Sequence, residues 1–315
     1  MAKNLKDILT EGFELWRNNL IMGAPPLLNM LIQFVLWIVI VMVIVFAVLG
    51  AGVGLGAGLF LEDIENINDL IPSLGAAIII IFLLMLVMII ISILIDAFFT
   101  AGLIGMAKEA VETGKTQFST MVECGKRKFI SLFFANLILA IIVFLPIIIA
   151  AIILLILLAG GYSSGVDYSN IDAIIVSSFI LFFVIFMLWI LYAIILGIIF
   201  AVVNYAVVIS DTGAVEGVKA GFRFFMNHKL DVFLMWLIIL CISLVCGIIY
   251  FAIYMMFNFI PFIGGIFAFV WQMIFYAFIA VVITPLTAVW WSWLYIDREL
   301  DRKQKTNNLI LNSNL

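Results

Sequence analysis

Asn29 and Gln33 stand four residues apart in one apolar run, and Ser92 and Asp96 repeat that spacing in the next. In a helix each pair falls on a single face. Asn136 and Asn204, in two later runs, complete a set of polar side chains that an apolar surrounding makes conspicuous. Asp96 is an acid within such a run and has no basic neighbour there, so it should be hydrated, hydrogen-bonded or protonated. Together these six residues could line a polar cavity open to one side, admitting a small solute, a lipid headgroup or a peptide. They could equally hydrogen-bond between helices, which is the commoner use of such residues in helical bundles.

Other patterns carry less chemistry. Gly161-Tyr162-Ser163-Ser164-Gly165 has the spacing of a nucleophile elbow. That motif needs a strand-turn-helix setting and a base, and the chain's one histidine, His228, is expected on the opposite side of the membrane. A flexible turn is the reading adopted. Cys124, Cys241 and Cys246 form neither a C-x-x-C pair nor a metal-binding spacing, so no metal site and no cofactor is expected. The acidic stretch containing Glu62, Asp63, Glu65, Asn66, Asn68 and Asp69 lacks the glycine and distal glutamate of an EF-hand loop, and it reads as a solvated loop. Gly50, Gly52, Gly54, Gly56 and Gly58 match no nucleotide-binding pattern. They are either a small-residue packing stripe on a continuing helix, the favoured reading, or a flexible linker.

The elements that would position these residues follow from composition. Of 315 residues 67% are hydrophobic and 11% charged, which excludes an ordinary soluble domain. A hydrocarbon core of about 30 Å needs roughly 20 helical residues, and six runs qualify. They lie near 24–49, 76–101, 130–159, 173–209, 232–258 and 262–295. The runs are continuous and do not alternate at period two, so a β-barrel is excluded. Pro146 and Pro285 mark expected kinks. All 15 Lys and Arg fall before the first span, after the sixth, or in the connections that follow the second and fourth. By the positive-inside bias both termini are expected in the cytoplasm, and Trp290, Trp291, Trp293 and Tyr295 form an interfacial belt beside the tail. The net charge of −4 merges two membrane faces and points to no nucleic-acid partner.

The base-bearing segments are amphipathic. Leu5, Ile8, Leu9, Phe13 and Trp16 oppose Lys6, Asp7, Glu14 and Arg17, while Val215, Val218, Phe222 and Phe225 oppose Glu216, Lys219 and Arg223. Such helices lie in the membrane interface. Gly12-Phe13-Glu14-Leu15-Trp16-Arg17-Asn18 aligns with Gly221-Phe222-Arg223-Phe224-Phe225-Met226-Asn227, each leading into a span. A weaker copy, with Met121, Val122, Gly125, Lys126, Lys128 and Phe129, precedes the third span. The fold expected is therefore all-α: a polytopic bundle of six membrane helices with three cytoplasmic interfacial helices, built as three tandem hairpins. Residues 1–297 form one membrane domain and 298–315 a short cytoplasmic tail.

The stretch from Ser210-Asp211-Thr212-Gly213 to Phe225-Met226-Asn227, entered from a long apolar span, resembles the signature of a large, mostly uncharacterised group of prokaryotic six-helix membrane proteins. Leu9-Thr10-Glu11-Gly12-Phe13-Glu14-Leu15-Trp16-Arg17-Asn18 fits that group's opening. The group includes the membrane domain found ahead of some glycerophosphodiester phosphodiesterases, whose chemistry resides in an added soluble domain. About twenty residues follow the last span here, so that domain is expected to be absent. The resemblance thus implies fold and location in a prokaryotic cell membrane, with no catalytic residues to carry over. The function expected is non-enzymatic, in membrane organisation or as an accessory subunit of a membrane-protein partner. Lys126, Arg127, Lys128, Lys219 and Arg223 would contact anionic lipid headgroups. The alternative is a transporter or channel-like protein with a cytoplasm-facing cavity around Asp96.

Overall fold

Long runs of Leu, Ile, Val and Phe offer the backbone no partner but itself, and in hydrocarbon that condition is met by helices. A computed structural model describes residues 3–60, 70–163 and 171–313, with side chains described at 3–46, 79, 81–153, 155–156 and 179–299. Among them no strand occurs. The helices are α1 (Leu5–Asn18), α2 (Ala24–Phe60), α3 (Leu70–Thr113), α4 (Phe118–Ser163), α5 (Ile171–Ile199), α6 (Val203–Ile209), α7 (Ala214–Asn227), α8 (Lys229–Asn258), α9 (Gly264–Phe278) and α10 (Thr284–Ser313). Six helical stretches are long and apolar enough to cross a membrane: Leu20–Phe46, Ile81–Thr113, Phe118–Ile153, Phe179–Ile209, Lys229–Asn258 and Gly264–Glu299.

Two amphipathic helices stand apart from the spans, α1 and α7, each of 14 residues. Both end on a residue with nearly the same backbone, Asn19 at φ −130°, ψ 51° and His228 at φ −131°, ψ 42°. The alignment of Gly12–Asn18 with Gly221–Asn227 brings these two positions into register. The third expected interfacial helix is not separate: Met121 to Phe129 form the opening turns of α4, which runs on unbroken. No residue there breaks the helix as Asn19 and His228 do, and the buried stripe Met121, Gly125, Lys128, Leu132, Ala135 continues straight into the span.

Contacts gather the chain into two units, interleaved in sequence. One comprises Met1–Thr10, Ser131–Ile248 and Trp290–Leu315, the other Glu11–Ile130 and Ile249–Val289.

In the first unit Pro146 sits inside α4 and cannot donate to the carbonyl of Ile142. Tyr192 on α5 supplies the missing donor: its hydroxyl donates to Ile142 O at 3.1 Å, and Trp189 Nε1 donates to Val143 O at 2.9 Å. An unsatisfied carbonyl in lipid costs several kcal/mol, so the proline is tolerated because α5 answers it. The fourth span is broken without a proline. The chain turns tightly at Phe200–Val202, with Val203 N donating to Phe200 O at 3.0 Å, and restarts as α6.

The turn from α6 to α7 explains the signature stretch. Asp211 takes a left-handed φ of 57° and Thr212 N donates back to Val207 O at 3.2 Å, closing the end of α6. Gly217 and Gly221, one turn apart on α7, then lie against Val207 and Val203, one turn apart on α6. A Cβ at Gly221 would stand 2.9 Å from Val203 Cα. Phe224 beyond them is buried, beside the ring of Tyr295.

The second unit uses the same device. Gly102 and Gly105 on α3 admit Met121 and Cys124 of α4, and Gly125 faces the Phe98 ring. The sixth span is interrupted, as Pro285 implies, by one π turn at Ile279–Ile283. Pro285 has no N–H to give a carbonyl of the preceding turn, and Gly23 approaches Val281 O closely enough that a Cβ would lie 3.1 Å away.

Candidate functional site

The polar pairs on α2 and α3 meet in antiparallel register. Asn29 Nδ2 donates to Asp96 Oδ1 at 2.9 Å; one turn on, Gln33 Nε2 donates to the backbone carbonyl of Ser92 at 2.9 Å. Ser92 Oγ donates to Gln33 Oε1 at 2.6 Å, and Gln33 Nε2 reaches Asn29 Oδ1 at 3.5 Å. The two amides therefore spend most of their capacity on joining helices. Asp96 is the exception, exposed and engaged through one oxygen. Chemically the cluster offers one carboxylate acceptor beside three neutral groups.

Asn136 and Asn204 belong to the other unit and join none of these hydrogen bonds. Asn136 is half-buried. Asn204 Oδ1 is buried without a hydrogen-bond partner among the described residues.

Of the basic residues expected at headgroups, Lys126, Arg127, Lys219 and Arg223 are exposed. Lys128 is not; it is 7% exposed, because it lies on the buried stripe of α4. That stripe withdraws it from the lipid-facing set. His228 stands half-buried, its ring beside Phe224 and its Nδ1 4.0 Å from Asp231 Oδ2. Gly161 to Ser163 form the last turn of α4, while Ser164, Gly165 and the acidic stretch from Glu62 to Asp69 lie outside the described residues. Gly50 to Gly58 lie within α2, as the packing reading requires, but what they face is outside the described side chains. Among the described residues, no three of His, Cys, Asp and Glu gather as a group able to hold a metal ion.

Two polar centres escape a reading of spacing alone. Asn19, 5% exposed, clasps the turn between α3 and α4. Its amide donates to Leu15 O at 2.9 Å and Gly114 O at 3.1 Å, and it accepts from Thr116 N at 3.0 Å. Gly114 makes that turn with φ +81°. Beside it Glu109 Oε2 accepts from Thr116 Oγ1 at 2.7 Å, Thr120 Oγ1 at 2.6 Å and Gln117 N at 3.3 Å, so a carboxylate crowns the start of α4. The hint in sequence is Gly114 set among polar residues between two apolar runs.

The second centre gathers at the end of α10. Arg298 donates to Asp231 Oδ2 at 2.7 Å, Asp297 Oδ2 at 2.6 Å and Lys3 O at 3.1 Å. Lys3 N donates to Asp297 Oδ2 at 3.0 Å, and Lys3 Nζ lies 4.7 Å from the centre of the Trp293 ring. One guanidinium thus ties the N-terminal segment, the first turn of α8 and α10 together.

A family model described as "Domain of unknown function (DUF7847)" matches residues 92–291. The chain is also similar to an uncharacterised protein of the archaeon Archaeoglobus fulgidus, 24% identical over 326 residues that cover 98% of each chain. No solved structure matches. The matched region runs from Ser92 through the α6–α7 turn to Trp291 and makes up more than half of the chain. The protein belongs to the DUF7847 family.

Proposed function

We propose that this family member is a non-enzymatic membrane protein whose basic surface holds anionic lipid headgroups, and that it acts in membrane organisation or as an accessory subunit. The observation that carries this reading is the pairing of exposed Lys219 and Arg223 with an apolar face on α7, a helix laid beside the spans and not within one. Lys126 and Arg127, exposed at the start of α4, add to the same class of side chain. On this reading the bases lie on the cytoplasmic side of a prokaryotic cell membrane, with both termini there. A kinship with the membrane domain of glycerophosphodiester phosphodiesterases is part of the proposal, on the strength of the 210–227 motif.

The transport alternative rests on the oxygen of Asp96 that no described residue engages. It is the weaker reading, because Asn29, Gln33 and Ser92 are spent on the α2–α3 contact.

Each base near an anionic surface contributes about 1 kcal/mol. Lys219→Ala with Arg223→Ala should therefore weaken binding of an anionic phospholipid to the detergent-solubilised protein by about 2 kcal/mol, roughly thirtyfold. Binding of phosphatidylcholine should not change, and the wild-type preference should shrink as salt rises. Equal anionic-lipid affinity in variant and wild type would overturn the reading.

A further inference from the structure

The tip of the α8–α9 hairpin is built unlike a solvent loop. Between Asp231 and Asp297 the chain carries no charged side chain. The tip, Asn258 to Gly264, exposes Phe259 at 84% and Phe262 at 105%. Phe262 holds a φ of 64°, a region that bulky residues rarely enter, and the three-residue turn around it is closed by Ile263 N donating to Pro261 O at 2.8 Å. Gly264 is required beside it, since a Cβ there would collide with Phe257 O.

Most of the backbone N–H groups at this tip find a carbonyl within the hairpin. The N–H groups of Phe259, Ile260, Ile263, Gly264, Ile266 and Phe267 all donate to carbonyls within the hairpin, Pro261 has no N–H, and Asn258 turns its amide onto Tyr254 O at 2.8 Å. A loop meant for water has no need of such closure; a turn placed in lipid does. The apolar exposure is also not confined to one face. On α8 it includes Phe251, Met255 and Met256, and on α9 Ile266, Phe269 and Val270, so each helix hides little beyond the side stacked through Phe257 and Phe267. A protein partner would cover one side, whereas lipid covers all.

Length agrees. The 30 residues of α8 extend about 45 Å at roughly 1.5 Å per residue, beyond a hydrocarbon core of about 30 Å but equal to a bilayer with its headgroup layers, about 40–45 Å. Tyr250 and Trp271, with Trp271 Nε1 donating to Tyr250 O at 3.2 Å, stand about two turns short of the tip and Tyr254 about one, where an aromatic belt belongs.

We propose that the Asn258–Gly264 tip is a lipid-inserted anchor, with Phe259 and Phe262 seated among the headgroups and upper acyl chains of the leaflet opposite the basic helices. The strained turn presents the Phe262 ring beside the exposed Phe259 ring, and the anchor fixes the depth of the last two spans. The partner is the lipid surface itself, whichever compartment that leaflet faces.

The test is a nitroxide at Phe259→Cys, on a chain with Cys124, Cys241 and Cys246 replaced by Ala, reconstituted in phosphatidylcholine vesicles. Power saturation should show the label several-fold more accessible to oxygen than to a water-soluble nickel chelate. A second label at Ile266→Cys, deeper in the hairpin, should show a higher ratio still. Nickel access equal to or above that of oxygen would place the tip in water. Low access to both would place it against protein, and either result would overturn the proposal. Should the Phe259→Cys chain fail to elute as the wild type does, Phe262→Cys gives the same reading under the same criteria.

Discussion

Arg298→Gln should lower the stability of the detergent-solubilised protein by about 3 kcal/mol, the range expected when one partner of a covered ion pair is removed. The guanidinium makes three hydrogen bonds at once, to Asp231, Asp297 and the Lys3 carbonyl, and its side chain is 9% exposed. Glutamine keeps the length roughly and loses the charge. Asp297, at 15% exposure, and Asp231, at 30%, then lose their guanidinium partner. The more exposed Asp231 recovers some water, which keeps the cost near the lower end of that range. Arg298→Lys should restore only part of the loss, because an ammonium lacks the planar fork that spans both acids. Adding Asp231→Asn to Arg298→Gln should cost less than the two changes made separately, since the second removes a charge that the first has stranded. A thermal melt followed by tryptophan fluorescence reads all four chains, and strict additivity of the two changes would deny that the network acts as a unit.

Gly221→Ala and Gly247→Ala should have opposite signs. Both glycines are helical, and alanine is the better helix former by about 1 kcal/mol. At Gly247 on α8 a Cβ meets nothing within 4 Å, so the substitution should be neutral or stabilising by up to about that amount. At Gly221 the new carbon would lie 2.6 Å from Val203 Cγ2, 2.9 Å from its Cα and 3.1 Å from its N. A side-chain methyl can rotate aside, but the Val203 backbone cannot move without opening the α6–α7 turn that Asp211 and Thr212 close. Overpacking of this kind costs about 1–3 kcal/mol, enough to outweigh the propensity gain. Gly221→Leu should cost more, and the midpoint of thermal unfolding orders the variants. If Gly221→Ala were as stable as Gly247→Ala, the close approach of α6 and α7 would not exist.

Much of this fold is visible in the sequence because lipid simplifies the rules. Length and hydropathy suffice to locate six spans, and the i, i+4 spacing of Asn29 with Gln33 and Ser92 with Asp96 anticipates the two faces that meet. The Gly217–Gly221 pair has the same i, i+4 spacing, but only the fold shows it packed against Val207 and Val203. What spacing cannot show is which side of a helix becomes covered. Lys128 reads as a surface base beside Lys126 and Arg127, and only the packing of α4 shows it falling on the stripe with Gly125 and Leu132. The same packing absorbs the expected middle interfacial helix into α4. Asn19 and Arg298 escape for a different reason: apart from Leu15 and Asp297 close by, their partners lie 95 to 97 and 67 to 295 residues away, and no local period encodes such distances. The break at Phe200–Val202 has no proline or glycine to announce it.

Sidedness is the claim on which the lipid-holding role depends, since basic helices can meet anionic headgroups of the inner leaflet only from the cytoplasmic side. Single cysteines at Glu65 and at Lys219, each on a chain with its three native cysteines replaced, can be exposed in intact cells to a membrane-impermeant maleimide. The Glu65 position should be labelled in intact cells and the Lys219 position only after permeabilisation. Labelling of Lys219 in intact cells, or of both positions alike, would contradict the orientation and with it the proposed function.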